Sequence, residues 1–492
     1  MNIGGIDIGT SGVKCAVYNE NGTCVGFSRK DYSYIRDDQG YCLNPCQVWQ
    51  SVKEALREAA LQCKGEIHGI AVSSIGEACV LMDSSDRVLF PSILYNDKRG
   101  KEESLEFIEK FGQERIYSLC GTSSNGTYSA EKLRWIFSHE KDAEKVDKIF
   151  LYEDYIIYCL TGERKISFSL ASRTLAFDII KKQWIDQFLS FAGTSRDKMS
   201  DPVSSGTETG EIKKSLAEEL GLKIRTKVFT GGHDQLCCTL GTGMLLGNTG
   251  VNVSGSGDTV SFLLKKPVLN AEIMRGGYGC SPYAEEGFYT TYGLCAMSGT
   301  MIRWYKDIFG QGRRDFYEET EKELPGIETD IVVLPGFTIM GTPDFKLDSQ
   351  GLMDGFTLKT SPLEIYRGIL EGIAFHLKMN LDLLKRQGIE AKVMYVAGGG
   401  ANSRVWNQIK ADIWGNKIVQ TENQEAGTAG CAILAGVGLN VFKDCTEASQ
   451  LFVKPVKEYF PRKQSKYNEK YARFLKLYQY KKERMEEEDA GK

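Results

Sequence analysis

The run Gly5-Ile6-Asp7-Ile8-Gly9-Thr10-Ser11-Gly12-Val13-Lys14 puts an aspartate at the end of an apolar strand and follows it with a turn of small and hydroxylated residues. Residues 3–9 and 13–19 are short apolar runs on either side of that turn, so the segment reads as a β-hairpin. From Gly9 onward the turn offers backbone N–H groups, the Thr10 and Ser11 hydroxyls and the nearby Lys14 ammonium, a donor set suited to phosphate oxygens. Asp7 is placed to hold a Mg²⁺ through water, because that ion keeps several of its waters. An ordinary hairpin turn reads Gly-Thr-Ser-Gly equally well when it stands alone, and the spacing is not that of a P-loop.

Outward from the hairpin, a third strand is expected near 23–29. Asn44-Pro45 then opens a helix with Val48, Trp49, Val52, Leu56 and Ala59 on one face. Residues 67–74 read as a buried strand. The order returns later: 250–262 again look like two strands about a Gly/Ser turn, 363–385 form an amphipathic helix, and 392–397 form a strand. Gly368 and Gly372 each weaken that helix by roughly 1 kcal/mol relative to Ala, so a neighbouring backbone is expected against them. The reading is a duplicated α/β fold divided at 245–250, with domains 1–246 and 247–492. Tyr467, Tyr471, Phe474, Leu475 and Tyr478 mark a last helix lying across the second domain, and the acidic run 486–489 reads as a solvated end.

Bulk properties exclude several classes. A chain of 492 residues is too long for one ordinary core. Its net charge is -4 and its pI about 5.9, without the basic face that a nucleic acid or an anionic membrane would call for. No charged-then-apolar leader precedes the first strand and no apolar run reaches the ~20 residues of a membrane span, so a cytoplasmic protein is expected. The 14 cysteines are scattered through apolar stretches and read as reduced thiols. Cys42 and Cys46 lack a second pair, and four histidines make a His/Cys metal cluster a poor fit.

Three further stretches carry chemistry. Thr230-Gly231-Gly232-His233-Asp234-Gln235 follows a strand and opens a helix, which suits Asp234 either to accept a proton from a hydroxyl or simply to cap the helix. Gly255-Ser256-Gly257 mirrors the first turn. Ala397-Gly398-Gly399-Gly400-Ala401-Asn402-Ser403 ends a strand, and its glycines would let a flat adenine lie against the backbone. No Gly-x-Ser-x-Gly elbow is present, and Gly241-Thr242-Gly243 with Gly247 misses the dinucleotide spacing.

Taken together these marks resemble the FGGY carbohydrate kinases, the group that includes xylulokinase and glycerol kinase. The likeness spans nearly the whole chain, through GIDIGTSGVK (5–14), YNDKRG (95–100), AEKLRW (130–135), LTGE (160–163), GGHDQ (231–235), SGTMIRWYKDIFG (298–310), LEGIAF (370–375) and AGGGANSRVWNQIKAD (397–412). It implies two ribonuclease-H-like domains of the actin and hexokinase type around a central cleft, ATP held by the second and sugar by the first. It places Asp234 as catalytic base, Asp7 on the magnesium side, Thr10 and Ser11 on the first phosphate loop, and Gly255 and Ser256 on the second. Gly299, Gly399, Gly400 and Ser403, with Asn402 in the same turn, fall near the nucleoside.

Departures fall on the sugar side. Where xylulokinases carry Gln-Met-His-Gly, this chain has Ser74-Ile75-Gly76-Glu77-Ala78, so the ketose-contacting histidine is missing. Glu77 resembles the Arg-Glu pair of glycerol kinases, with Gly76 in place of the arginine. The second loop reads Gly255-Ser256-Gly257-Asp258 instead of the usual Gly-Thr. The expected activity is transfer of the ATP γ-phosphoryl to a small sugar or polyol, with Asp234 as base and Glu77 and Asp97 on the substrate's other hydroxyls. Mg²⁺ bridges the phosphates. The rivals are an actin- or chaperone-like ATPase that serves a protein partner, and a catalytically silent sugar sensor. The oligomeric state, a homodimer included, stays open.

Overall fold

The computed structural model describes residues 1–490 apart from 37–39, 223–224, 311, 348, 423–424 and 463–464. The first sheet is built from Asn2–Ile8 (β1), Gly12–Asn19 (β2), Cys24–Asp31 (β3), Ile67–Ser74 (β4), Glu208–Glu211 (β5) and Lys227–His233 (β6). Their order is β5-β6-β4-β1-β2-β3, with β1 parallel to β4 and antiparallel to β2. The second sheet holds Thr249–Ser254 (β7), Asp258–Leu264 (β8), Cys280–Pro282 (β9), Tyr289–Cys295 (β10), Val393–Gly398 (β11), Lys417–Thr421 (β12) and Pro455–Tyr459 (β13). Its order, β13-β12-β11-β7-β8-β10-β9, repeats the first with one strand added at the edge, and every shared pairing keeps its direction.

Local chemistry accounts for the main helices. Pro45–Leu61 (α1) begins where the Asn44 side chain accepts from the Cys46 and Gln47 amides. Its Val48, Val52, Ala55, Leu56 and Ala59 close over Ile6, Ile8 and Val13. Further helices of the first half include Tyr152–Thr161 (α2) and Asp234–Thr242 (α3), α3 starting directly at the end of β6. In the second half come Gly299–Phe309 (α4), Pro362–Arg386 (α5), Arg404–Trp414 (α6), Ala426–Gly438 (α7) and Ser465–Ala490 (α8). A Cβ on Gly372 of α5 would collide with the Val333 carbonyl, which is the close backbone approach the sequence predicts. Helix α8 buries Tyr467, Phe474 and Tyr478, whereas Leu475 is exposed. In the acidic run, Glu487 is exposed and the other side chains lie outside the described residues. None of the 14 cysteines is in a disulfide, and among the described residues no helix is long and apolar enough to cross a membrane.

One feature escaped the periodicity. Helix α7 is apolar all round, and although it comes from the second half it lies on β1, β4 and α3 of the first. The contact is backbone on backbone: a Cβ on Gly430 would overlap the Cys237 carbonyl, one on Gly241 the Ala426 carbonyl, and one on Gly5 the Thr428 carbonyl. Gly430→Ala should therefore destabilise the protein by about 1–3 kcal/mol through overpacking. Urea denaturation checks it: an unchanged midpoint would mean that α7 can move away at no cost.

Candidate active site

Asp7 is half-buried near the end of β1, where the Ser73 hydroxyl donates to it at 2.7 Å. Burial holds its proton affinity above the usual carboxylate range. Gly427 of α7 is small for a reason: a Cβ there would sit 2.5 Å from Asp7 Oδ2. Lys14, opposite Asp7 in the β1–β2 register, forms a 2.6 Å ion pair with Glu425 at the start of α7. Its ammonium thus ties the two halves together at the mouth of the first turn.

Asp234 comes into the same cleft through a bulge. Strand β6 slips register between Thr230 and Gly232, and Gly232 has φ of 149°. A Cβ on Gly231 would overlap the Val72 carbonyl of β4, so the two glycines let the chain turn tightly before His233. Burial, then the Asp7 charge, then that of Glu77 push Asp234 up to about 8, although a third of its side chain still faces the cleft. His233 Nε2 lies 3.2 Å from Asp234 Oδ1, and burial together with Arg173 keeps this imidazole neutral near pH 7. Asp7 and Asp234 therefore form an electron-rich pair, with Lys14 already engaged by Glu425. One carboxylate beside incoming phosphate oxygens is the kind of donor set that Mg²⁺ takes, so Asp7 fits the ion.

Glu77 is buried and carries φ of 66°, a rare conformation for a residue with a Cβ. Arg173 donates to its Oε1 through both Nε, at 2.7 Å, and Nη2. Sequence reasoning missed Arg173 because its partner is 96 residues away. The arginine stem fills the space beside Gly76, where a Cβ would meet Arg173 Cγ at 2.9 Å. The guanidinium absent from position 76 is thus supplied from another element. It also lies over the Tyr128 ring.

Asp97 requires a correction. Its side chain is fully buried. Oδ1 accepts from the Arg99 amide and Nε, and Oδ2 from Arg99 Nη2 and the Tyr41 amide. With both oxygens engaged it braces the loop and does not reach a substrate. Tyr95, exposed near the charges of Glu77 and Asp234, is the side chain of that loop that faces the cleft.

Both glycine turns bury their carbonyls and leave amides open. In the first, Gly9 O accepts from the Tyr32 hydroxyl, Ser11 O from the Tyr32 amide, and Gly12 O from the Gly9 amide. In the second, Gly255 O accepts from the Gly299 amide, Ser256 O from the Thr300 amide, and Gly257 O from the Gly255 amide. Among the described residues the amides of Thr10, Ser11, Ser256 and Gly257 have no protein partner. Gly299 is thereby placed under the turn: a Cβ there would overlap the Gly255 carbonyl. It seats α4 against the loop.

The third turn divides similarly. A Cβ on Gly399 would meet nothing within 4 Å, and Asn402 is exposed, so both face open space. Gly400 instead packs on Trp406 and Ser254, and Ser403 caps α6 while donating to Glu321 at 2.6 Å. Those two are half-buried and make contacts within the protein.

Two outcomes follow from this geometry. Gly399→Val should block MgADP binding in calorimetry with little loss of stability, while Gly400→Val should lower the melting temperature. The reverse pattern would take the turn out of a nucleotide site. For Asp234, a folded-state pKa near 8 against an ordinary 3.8 means the native state binds the extra proton, so the group costs stability as pH rises from about 4 to 8. Asp234→Asn should therefore melt higher than the wild type at pH 8 and equally at pH 4. A variant less stable than wild type at pH 8 would contradict this.

Comparison with known proteins agrees with this site. Residues 2–241 match the N-terminal domain and residues 250–439 the C-terminal domain of the FGGY family of carbohydrate kinases. The chain is 28% identical over 487 residues to a xylulose kinase of Bacillus subtilis, covering 96% of this chain and 95% of that one. It is 27% identical over 447 residues to a xylulose kinase of Escherichia coli, covering 90% and 91%. Among solved structures it resembles a gluconate kinase from Lactobacillus acidophilus, with a TM-score of 0.87, 22% identity and coverage of 98% and 97%. A Plasmodium falciparum glycerol kinase with ADP gives a TM-score of 0.88 at 20% identity, covering 98% of each chain. These matches set aside the ATPase that serves a protein partner. Two family domains matched over residues 2–241 and 250–439 show that this chain belongs to the FGGY family of carbohydrate kinases.

Proposed function

We propose that the protein transfers the γ-phosphoryl group of ATP to a hydroxyl of a ketose or polyol, giving a sugar phosphate and ADP. The observation that carries this reading is Asp234, held by the Gly231–Gly232 bulge at the head of α3 with a proton affinity raised to about 8. A carboxylate of that basicity, once ionised, is a competent acceptor for a hydroxyl proton. The open amides of the Thr10–Ser11 and Ser256–Gly257 turns are suited to oxygens that gain charge as the phosphoryl group moves. A Mg²⁺ at Asp7, when bound, supplies neutralisation of the phosphate charge.

On the acceptor side, Arg173 holds Glu77 in place through Oε1, so Glu77 can accept hydrogen bonds from sugar hydroxyls. The names of the similar xylulose kinases favour a pentulose among the acceptors, while Glu77 stands where those enzymes are expected to have a different contact set. Release of ADP over a panel of tetruloses, pentuloses, hexuloses and polyols identifies the acceptor. ATP turnover that ignores every sugar would overturn the reading.

With that acceptor in hand, Asp234→Asn should lower kcat by roughly 10²–10⁴ with nucleotide affinity unchanged. Retention of more than half the turnover would remove Asp234 as base. Glu77→Gln should lower kcat/KM for the sugar by about one to two orders of magnitude, since a hydrogen bond to a charged group contributes roughly 1.5–3 kcal/mol. Unchanged sugar kinetics in this variant would mean that Glu77 serves only its pairing with Arg173.

A further inference from the structure

The two phosphate-facing turns have equivalent frames but opposite stems. Ile8 pairs with Val13 to close the first turn, and with Ile6 these residues lie in an apolar cluster. Ser254 pairs with Asp258 to close the second, with Asn252 two residues earlier, as Ile6 is to Ile8. All three polar residues are buried, and all three meet one side chain. Lys410, on α6 and itself fully buried, donates to Asn252 Oδ1 at 2.7 Å, Ser254 Oγ at 2.9 Å and Asp258 Oδ2 at 3.3 Å. Its ammonium also sits 3.8 Å from the centre of the Trp406 ring. Ser254 Oγ donates to Asp258 Oδ2 at 2.8 Å, while Asp258 Oδ1 has no partner among the described residues.

The first half demonstrates that this hairpin can be packed with aliphatic side chains alone. A buried ion pair is poor value as packing, because desolvation offsets its attraction. Its place supplies a better reason. Asp258 immediately follows Gly257, so without a counter-charge an anion would lie directly beneath the amides that face a phosphate. Lys410 removes that opposition and, by gripping both strands of the stem, fixes the turn before a ligand arrives. We propose that Lys410 is a positioning residue of the nucleotide site, holding the stem of the second turn and cancelling the Asp258 charge beneath it. This rests on the reading of the second half as the nucleotide side.

Calorimetry with MgADP on the full chain tests it, using Lys410→Met, Lys410→Gln, Asp258→Asn and the double variant Lys410→Met with Asp258→Asn. Either Lys410 substitution alone should weaken MgADP at least tenfold while leaving affinity for the acceptor found in the sugar screen within twofold. Asp258→Asn, which keeps the lysine, should bind MgADP within about threefold of the wild type, and the double variant, which loses the grip on the stem but carries no uncompensated anion, should bind MgADP at least threefold more tightly than Lys410→Met. If the double variant is as weak as Lys410→Met, or sugar affinity falls in parallel, charge cancellation at the turn is wrong. If neither single Lys410 variant folds, the lysine serves folding alone and the proposal is lost. A wild type that binds no MgADP refutes the nucleotide assignment itself, whereas a wild type that binds it and Lys410 variants that match it refute only this inference.

Discussion

Two partly buried carboxylates held near one another govern the arrangement of this protein. Burial raises the proton affinity of both, and the Asp7 charge raises that of Asp234 further, a cost that an unconstrained chain would relieve by moving one of them to water. The fold prevents that escape. Asp7 is fixed by a parallel pairing to β4, a hydrogen bond from Ser73 and the flat surface of Gly427. Asp234 is fixed because β6 ends in a bulge with no room for side chains. Tyr32, which pins two carbonyls of the first turn, and Arg173, which acts on both Asp234 and His233, belong to the same construction.

The duplicated sheets give this arrangement its economy. One hairpin geometry, used twice, turns carbonyls inward and amides outward on both sides of the cleft. The inward carbonyls are satisfied differently: by a tyrosine from the following segment in the first half, and by the start of α4 in the second. Donors of this kind are set before a ligand arrives and need no reorganisation when charge develops.

Much of this was legible in the sequence, for identifiable reasons. Strand ends followed by glycine turns are local signals, so Asp7, Asp234 and both turns could be read from neighbours in the chain. The helix at 45 announced itself through Asn44-Pro45, and the glycines of α5 through their cost. What could not be read depends on partners far apart. Arg173 and Lys410 look like ordinary basic residues until folding places them beside Glu77 and Asp258. Asp97 looked like a ligand because its type was right, but Arg99 and the Tyr41 amide already use both oxygens. Gly400 and Gly299 show the same limit: a glycine run signals close approach without saying whether to a ligand or to the protein.

Helix α7 has a consequence for how the chain is made. The first sheet is complete in sequence once residue 233 has been added, yet the helix that covers β1 and β4 begins only at Ala426. At ribosomal rates of about 5–20 residues per second, the intervening stretch takes on the order of 10–40 s to synthesise. During that interval Ile3, Ala16, Ala71 and Phe229 lack Ala429, Cys431, Ala432 and Ile433, the α7 residues of their cluster. The nascent first half therefore carries an unfinished sheet face that is closed only once α7 has emerged.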